Sequence, residues 1–426
     1  MTAIGWTLNV LIISSADQES NGMETTSSVG DVGTGVGRAP GTYIKSLTEV
    51  GPATQMGNLL RRYWHPVGLG SYATETPREV RVLGEDLILF RDRSGRPGLM
   101  HARCAHRGTT LYFGKVEERG IRCCYHGWLF DVEGRCLEQP CEPEGGRFRD
   151  RVRQPWYPLR EQYGLIFAYM GPPEKKPVLP RYECLEVLGE GEFIDADDTS
   201  IGSGGPQIVP CNWLQHFENV VDPYHVVVLH GTHSGPQFSE MMARMPDEVH
   251  FERTPLGVRA SSTRRLADGS VMRGSAEVAL PTLRVVPNPR AGVAGASLVG
   301  RVESIGWTLP IDDTHFRIYV AGRVREKGQL RRMRSRQGGK LWEELSPEEH
   351  QRFPGDFEAQ TGQGAITLHS EEHLVESDRG IALLRQFLRR QMELVAQGRD
   401  PAGVAFDAET PPVTFAASRE LQDAAE

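Results

Sequence analysis

The chain has 426 residues, enough for two or three domains with cores of their own. Hydrophobic content of 39% and charged content of 24% are those of an ordinary soluble globular protein, and no apolar run reaches the roughly 18–20 residues a membrane-spanning helix needs. Lys and Arg number 48 against 56 Asp and Glu, a net charge of −8, and no long basic tract offsets it, which argues against nucleic acid as a partner.

In chain order, AIGWTLNVLII (3–13) is apolar but short. No Lys or Arg precedes it, so the basic start of a signal peptide is missing. Residues 15–42 are rich in Gly, Ser, Thr and acids, and 1–42 are expected to be a disordered leader. Met23 competes with Met1 as the true start, residues 1–22 then being a mis-assigned extension. In 43–63, a Gly-Pro turn precedes an amphipathic stretch, Met56–Tyr63, which predicts a short helix leading into a strand. Over 64–171, short apolar runs (VRVLGEDLILFRD, PGLMHARCA, GLIFAYMG) alternate with Gly, Pro and Asp turns, the texture of a small all-β domain. PPEKKPVLP (172–180) reads as a linker.

Within 181–400, VHFERTPLGVRASSTRR, SVMRGSAEVALPTLRVVP and HFRIYVAGRV predict strands of an antiparallel sheet. Helices are predicted around 211–230 and 370–396. The second carries Ile381, Leu384, Phe387, Leu388 and Met392 at helical spacing, with Gly398 as its stop. Residues 401–426 are polar and expected to be a loose tail. The fold class is α+β.

Two stretches carry chemistry. CAHRGTTLYFGKVEERGIRCCYHGW (104–128) holds Cys104-x-His106 and then Cys123-Cys124-Tyr125-His126, each group followed closely by Gly. Zinc fingers commonly pair Cys with Cys and His with His. Here each loop supplies one of each, which suits two irons, one holding both sulfurs and the other both imidazoles. That is the 2Fe–2S ligation in which His₂ replaces Cys₂ on one iron and raises the reduction potential. A zinc knuckle, a disulfide, or buried thiols beside core histidines are the competing readings. By spacing alone the second sulfur is Cys123 or Cys124, because Cys124-x-His126 mirrors Cys104-x-His106. Seven cysteines is an odd count, and Cys104, Cys123, Cys124 and Cys136 lie in one region with histidines. Both facts point to a reducing cytoplasm and to metal before disulfide. Bonds from Cys124 to Cys136 or Cys141 are not expected there.

NWLQHFENVVDPYHVVVLHGTHSG (212–235) packs His216, His225, His230 and His233 with Asp222 into an otherwise apolar run. Buried helices do not normally carry so many imidazoles unless they are paired or ligated. Asp222-Pro223 reads as an N-cap followed by Pro at the first helical position. His225 and His230 are five apart, about 140° on an ideal helix, so joint ligation needs an irregular turn or a helix end, which Gly231 permits. Two histidines and a carboxylate make the facial triad of non-haem Fe(II) oxygenases, which leaves positions open for O₂. The carboxylate must come from elsewhere in the chain.

The first stretch resembles the Rieske 2Fe–2S domain family, whose pattern is C-x-H then C-x₂-H; GWLFDVEGRCLEQP resembles that family's third loop. The resemblance selects Cys104, His106, Cys123 and His126 as ligands. With both stretches together, residues 45–395 resemble the terminal oxygenase subunit of Rieske non-haem iron aromatic-ring hydroxylating oxygenases, nearest the phthalate-dioxygenase-like group. LTEVGPATQMGNLLRRYWHPV and GDFEAQTGQGAITLHSEEHLVESDRGIALLR resemble that group's opening and ending.

The resemblance implies a helix-grip-like catalytic domain beside the Rieske domain, and two cofactors, one 2Fe–2S cluster and one mononuclear Fe(II). It implies the motif Asn219, Asp222, His225, His230, with Asp356 as the distant carboxylate. Glu358, Glu371, Glu372 and Asp378 then read as surface, capping or helix-face charges. His216 and His233 read as core residues or supports of the ligands, and His369 and His373 as solvated. It implies a homotrimer in which Asp222 links His126 of one chain to His225 of the next. No Gly-x-Gly-x-x-Gly unit in a βαβ setting is present, so electrons are expected from a separate NAD(P)H reductase, directly or through a ferredoxin. Arg107, Lys115, Arg119 and Arg122 are candidates for its docking face. Arg253, Arg284 and Arg290 are candidates to hold a substrate carboxylate. The expected reaction is oxygenation of an aromatic acid, leaning to O-demethylation of a bulky methoxylated one; cis-dihydroxylation of a phthalate-like acid and hydroxylation of a diterpenoid acid are the alternatives. Outside this class stand a Rieske electron-transfer protein and a structural zinc module. The first is opposed by the 250 or so residues after the cluster region with their own His₂/Asp set.

Overall fold

A computed structural model describes residues 37–199, 205–235, 244–287, 302–332 and 337–422. Residues 1–36, which hold both candidate start methionines, and Arg290 lie outside them. Residues 41–426 form one compact unit.

Two short helices, α1 (Lys45–Thr48) and α2 (Gln55–Leu60), precede the first strand. Thr54 caps α2 by accepting from Gly57 N, and Met56, Leu59 and Leu60 are buried. Ten strands follow: β1 (Trp64–Leu69), β2 (Arg78–Val82), β3 (Glu85–Arg91), β4 (Pro97–His101), β5 (Lys115–Glu117), β6 (Gly120–Arg122), β7 (Leu129–Phe130), β8 (Cys136–Glu138), β9 (Leu159–Gln162) and β10 (Leu165–Tyr169). Among the described residues they make three small antiparallel sheets, ordered β1-β10-β9, β2-β3-β4 and β5-β6-β7-β8. Ile88, Phe90, Met100, Leu111, Ile121 and Phe130 form a small core of their own, and Cys104 and Cys123 belong to it.

The rest of the chain is built on one large antiparallel sheet. Its strands are β11 (Phe193–Asp197), β12 (Glu248–Arg253), β13 (Gly257–Arg265), β14 (Val271–Ala279), β15 (Leu283–Val285), β16 (Ser304–Asp312), β17 (His315–Val324) and β18 (Arg419–Gln422). They run β11-β17-β16-β15-β14-β13-β12, with β18 paired to β14. The helices are α3 (Glu183–Glu186), α4 (Trp213–Asn219), α5 (Pro223–Val227), α6 (Gln329–Arg332), α7 (Pro347–Arg352), α8 (Asp356–Thr361) and the long α9 (Arg379–Ala396).

Alternation fixes the two faces of the sheet. Trp307 packs edge-on against Phe167 of β10 at 5.6 Å, so one face rests on the small sheets. Phe251 lies under Gly380 of α9, where a Cβ would stand 2.8 Å from its ring. α9 and α4 therefore cover the opposite face. α9 buries Leu384, Phe387, Leu388 and Met392, each contributing about 1.5–3 kcal/mol. Gly398, with φ +73°, donates to Val395 O and stops it, where sequence placed the stop.

The stretch after residue 400, expected to be loose, is packed as far as residue 422. Phe415 stacks on Tyr182 at 6.2 Å, and β18 pairs with β14 from Val271↔Gln422 to Gly274↔Arg419. The predicted helix at 370–378 is instead two 3₁₀ turns, His369–Glu371 and Glu376–Asp378. Among the described residues no helix is long and apolar enough to cross a membrane.

Candidate functional site

The two loops around Cys104 and Cys123 close in the same way. Gly108 N donates to Cys104 O at 2.9 Å and Gly127 N to Cys123 O at 3.1 Å; both glycines have left-handed φ, +78° and +72°. This equivalence sets Cys123, not Cys124, opposite Cys104. Burial agrees, since Cys104 and Cys123 are buried and Cys124 is exposed. The thiols of Cys104 and Cys123 are close enough for each to act on the other's charge. The rings of His106 and His126 lie 4.6 Å apart between centroids. Sulfur thus sits with sulfur and imidazole with imidazole, although each loop brings one of each.

Burial pushes the Cys104 thiol up to about 11. Two thiolates side by side in this apolar setting need a cation to hold them, and the donor set fits a 2Fe–2S centre. His106 stacks on Trp128 at 4.3 Å. A Cβ on Gly127 would stand 2.7 Å from Pro140 Cγ, so the third loop packs directly on the second. Arg122 braces the second loop. Its Nη1 donates to Gly127 O at 2.6 Å, and it pairs with Glu117 at 2.8 Å and Glu138 at 2.7 Å. Arg107, Lys115 and Arg119 are exposed. All seven cysteines are free of disulfides.

The second constellation begins at Asp222, which caps α5 by accepting from Tyr224 N at 2.9 Å and His225 N at 3.3 Å. α5 does not continue as a regular helix. Val228–His233 is a π-helix, whose i→i+5 bonds bring residues five apart onto one face. The rings of His225 and His230 consequently meet at 5.4 Å. Asp356, first residue of α8, approaches with Oδ1 at 3.1 Å from His230 Nε2 and 3.6 Å from His225 Nε2. One ligand atom from each of the three lies within 4.8 Å of the others. His225 Nδ1 donates to the Asp222 carbonyl, which leaves Nε2 as the lone pair facing Asp356. Asn219 Nδ2 donates to Asp356 Oδ1 at 3.4 Å.

Three of the four competing acids have partners elsewhere. Glu358 accepts from Gly355 N and Trp342 Nε1, Asp378 from Val375 N, and Glu372 binds Arg385. Glu372 is therefore a partly buried partner, not a solvated helix charge. His373 is exposed, whereas His369 is half-buried and accepts from Ile44 N. His216 is buried between Gln360 and Arg284. His233 is exposed, contrary to its expected place in the core or behind the ligands. Arg253 is exposed and bound to Gln386. Sequence reasoning missed Gln360. The available signal was its spacing, four residues after Asp356 and so on the same face of α8.

A family profile for the Rieske 2Fe-2S domain matches residues 64–158. The chain is similar to the phenoxybenzoate dioxygenase subunit alpha of Ectopseudomonas oleovorans, 51% identical over 372 residues, covering 86% of this chain and 89% of that one.

The chain belongs to the Rieske non-haem iron oxygenases.

It is also similar to the 5,5'-dehydrodivanillate O-demethylase oxygenase subunit of a Sphingobium strain, 35% identical over 85% of this chain and 82% of that one. Its fold is that of the caffeine-bound NdmA QL mutant from Pseudomonas putida CBB5, with TM-score 0.57, 18% identity, 84% of this chain and 99% of that one. As a Rieske oxygenase it uses one 2Fe–2S cluster and one mononuclear non-haem iron, and the two constellations above have the donors each requires.

Proposed function

We propose that this Rieske oxygenase acts on a two-ring aryl-ether carboxylic acid of the phenoxybenzoate type and adds both atoms of O₂ to it. The observation that carries the reading is the 51% identity across 86% of the chain to a phenoxybenzoate dioxygenase subunit. O-demethylation of a methoxylated aromatic acid is the second reading, supported by the 35% match to a dehydrodivanillate O-demethylase.

In this reading Cys104 and Cys123 hold one iron of the cluster and His106 and His126 the other, while His225, His230 and Asp356 hold the mononuclear iron. When bound, the cluster supplies electrons one at a time and the mononuclear iron, with its open positions, supplies oxygen activation. Asn219 steadies Asp356. Asp222 holds the His225 ring through its carbonyl, and its carboxylate reaches a cluster histidine, His126, of a neighbouring copy, so the working unit is a ring of three. The two electrons that balance the addition of O₂ come from NAD(P)H through a separate reductase, with or without a ferredoxin.

Turnover under ¹⁸O₂ with a surrogate reductase and 3-phenoxybenzoate tests the reading. Two labelled oxygens in the organic product, without formaldehyde, are expected. Released formaldehyde and an unlabelled phenolic product from a methoxylated acid, because the one oxygen incorporated leaves on the formaldehyde, with 3-phenoxybenzoate untouched, would select the second reading.

A further inference from the structure

Arg284 stands between buried Leu283 and Val285 on β15 and points the other way from them, toward the sheet face covered by α4 and α9. Its neighbour across β16 is Gly306. A Cβ at Gly306 would stand 2.7 Å from Arg284 Cγ and 2.9 Å from Cδ, so only a glycine there lets the side chain lie flat across the strand. Around it that face carries small residues, Ala260 paired with Ala276 and Val258 with Val278.

The guanidinium is fixed on one side only. Nη1 donates to His216 Nε2 at 3.2 Å. Because a guanidinium has no acceptor, His216 must carry its proton on Nδ1, and that N–H donates to Gln360 Oε1 at 3.1 Å. Gln360 lies one turn after Asp356 on α8. A chain of three side chains thus ties Arg284 to the helix that bears Asp356. Burial, with the Arg284 charge beside it, pushes His216 down to about 3, so this ring stays a neutral acceptor.

Among the described residues Arg284 has no acid within ion-pair distance, and Nε and Nη2 have no partner. Residues 288–301, which follow β15, contain no Asp or Glu. Several buried arginines have acids, Arg61 with Glu85, Arg323 with Glu192, and Arg385 with Glu218 and Glu372, whereas Arg264 is held by the Arg244 carbonyl and the Ser262 hydroxyl. Gln360 Nε2, on a side chain only 2% exposed, also lacks a partner among the described residues. A cation close enough to Asp356 to feel its charge, held on Nη1 and without an acceptor among the described residues on its parallel Nε–H and Nη2–H pair, matches the geometry of a carboxylate.

We propose that Arg284 is the anchor for the substrate's carboxylate, binding it side-on through Nε and Nη2, with His216 and Gln360 as positioning residues that hold the guanidinium beside the metal triad. The inference rests on the reading that the substrate is an aromatic acid.

The test is equilibrium binding of 3-phenoxybenzoate and of its uncharged analogue 3-phenoxybenzamide to the enzyme carrying both metals. Wild type, Arg284→Gln and Arg284→Lys are compared, and the cluster absorbance reports an intact fold. Wild type should prefer the acid. Arg284→Gln should weaken acid binding about 30-fold and leave amide binding within about threefold, removing the preference. Arg284→Lys, which keeps the charge without the fork, should recover only part of it. If Arg284→Gln and Arg284→Lys both bind the acid as wild type does, or lose acid and amide equally, the anchor is overturned while turnover of the acid by wild type leaves the aromatic-acid reading standing. Wild type that neither prefers the acid nor turns it over overturns that reading and the anchor with it.

Discussion

At Asp222 one carboxylate oxygen is committed to the helix cap, through the backbone N–H groups of Tyr224 and His225, while Oδ2 stands 3.6 Å from His225 Nδ1. Asn is as good an N-cap as Asp, so Asp222→Asn separates the cap from the proposed bridge. Thermal stability and both metals should be retained, and turnover should fall about 100-fold, near the upper end for loss of a group that orients a ligand histidine. Iron, sulfide and steady-state rate on the same preparation decide it; a fully active variant sinks the bridge. The cap was legible in sequence because Asp-Pro has few other uses at a helix start. The choice between Cys123 and Cys124 was not legible from spacing, because it is set by which carbonyl Gly127 N reaches. Nor was the flat lie of the Arg284 side chain across β16, which a glycine on that other strand permits.

Elements show where periodicity informs and where it misleads. The apolar spacing of α9 and its glycine stop could be read directly. The pairing of His225 with His230 could not, because a regular helix turns residues five apart to different faces and the π turn shows only in the folded backbone. β18 was missed because a short polar strand gains its hydrogen bonds from β14, nearly 150 residues away, and local sequence says nothing of that partner. The same non-local logic holds α4 to α9. Arg385 reaches both oxygens of Glu218, at 2.6 and 2.7 Å, and both of Glu372. Burial pushes Glu218 upward despite the hydrogen bonds and charge of Arg385. Arg385→Ala strands Glu218 in the core and should cost about 3–5 kcal/mol. Denaturant unfolding should also show that adding Glu218→Gln restores part of the loss, since the stranded charge is then gone. Equal stability of the single and double variants would mean that lost packing, not the unpaired carboxylate, dominates.

Across the whole molecule, the change from short β texture to long strands and helices could be read in the chain, and so could the two sets of metal donors, because ligand chemistry confines them to short motifs. What no single chain sequence states is which cluster serves which iron. If the electron crosses from the cluster of one copy to the iron of the next, a Cys123→Ala chain, lacking the cluster, and an Asp356→Ala chain, lacking the mononuclear iron, are each inactive but complement one another. In a closed ring of three with one direction of transfer, any mixed ring has a single productive junction, a cluster-bearing copy followed by an iron-bearing one. Mixed oligomers isolated through two different tags should therefore turn over at about one third of the wild-type rate, whether the mixture is two to one or one to two. Transfer within a chain predicts no turnover in any mixture, because no chain then holds both metals. The rate of the doubly tagged fraction, normalised to intact rings, separates the two routes.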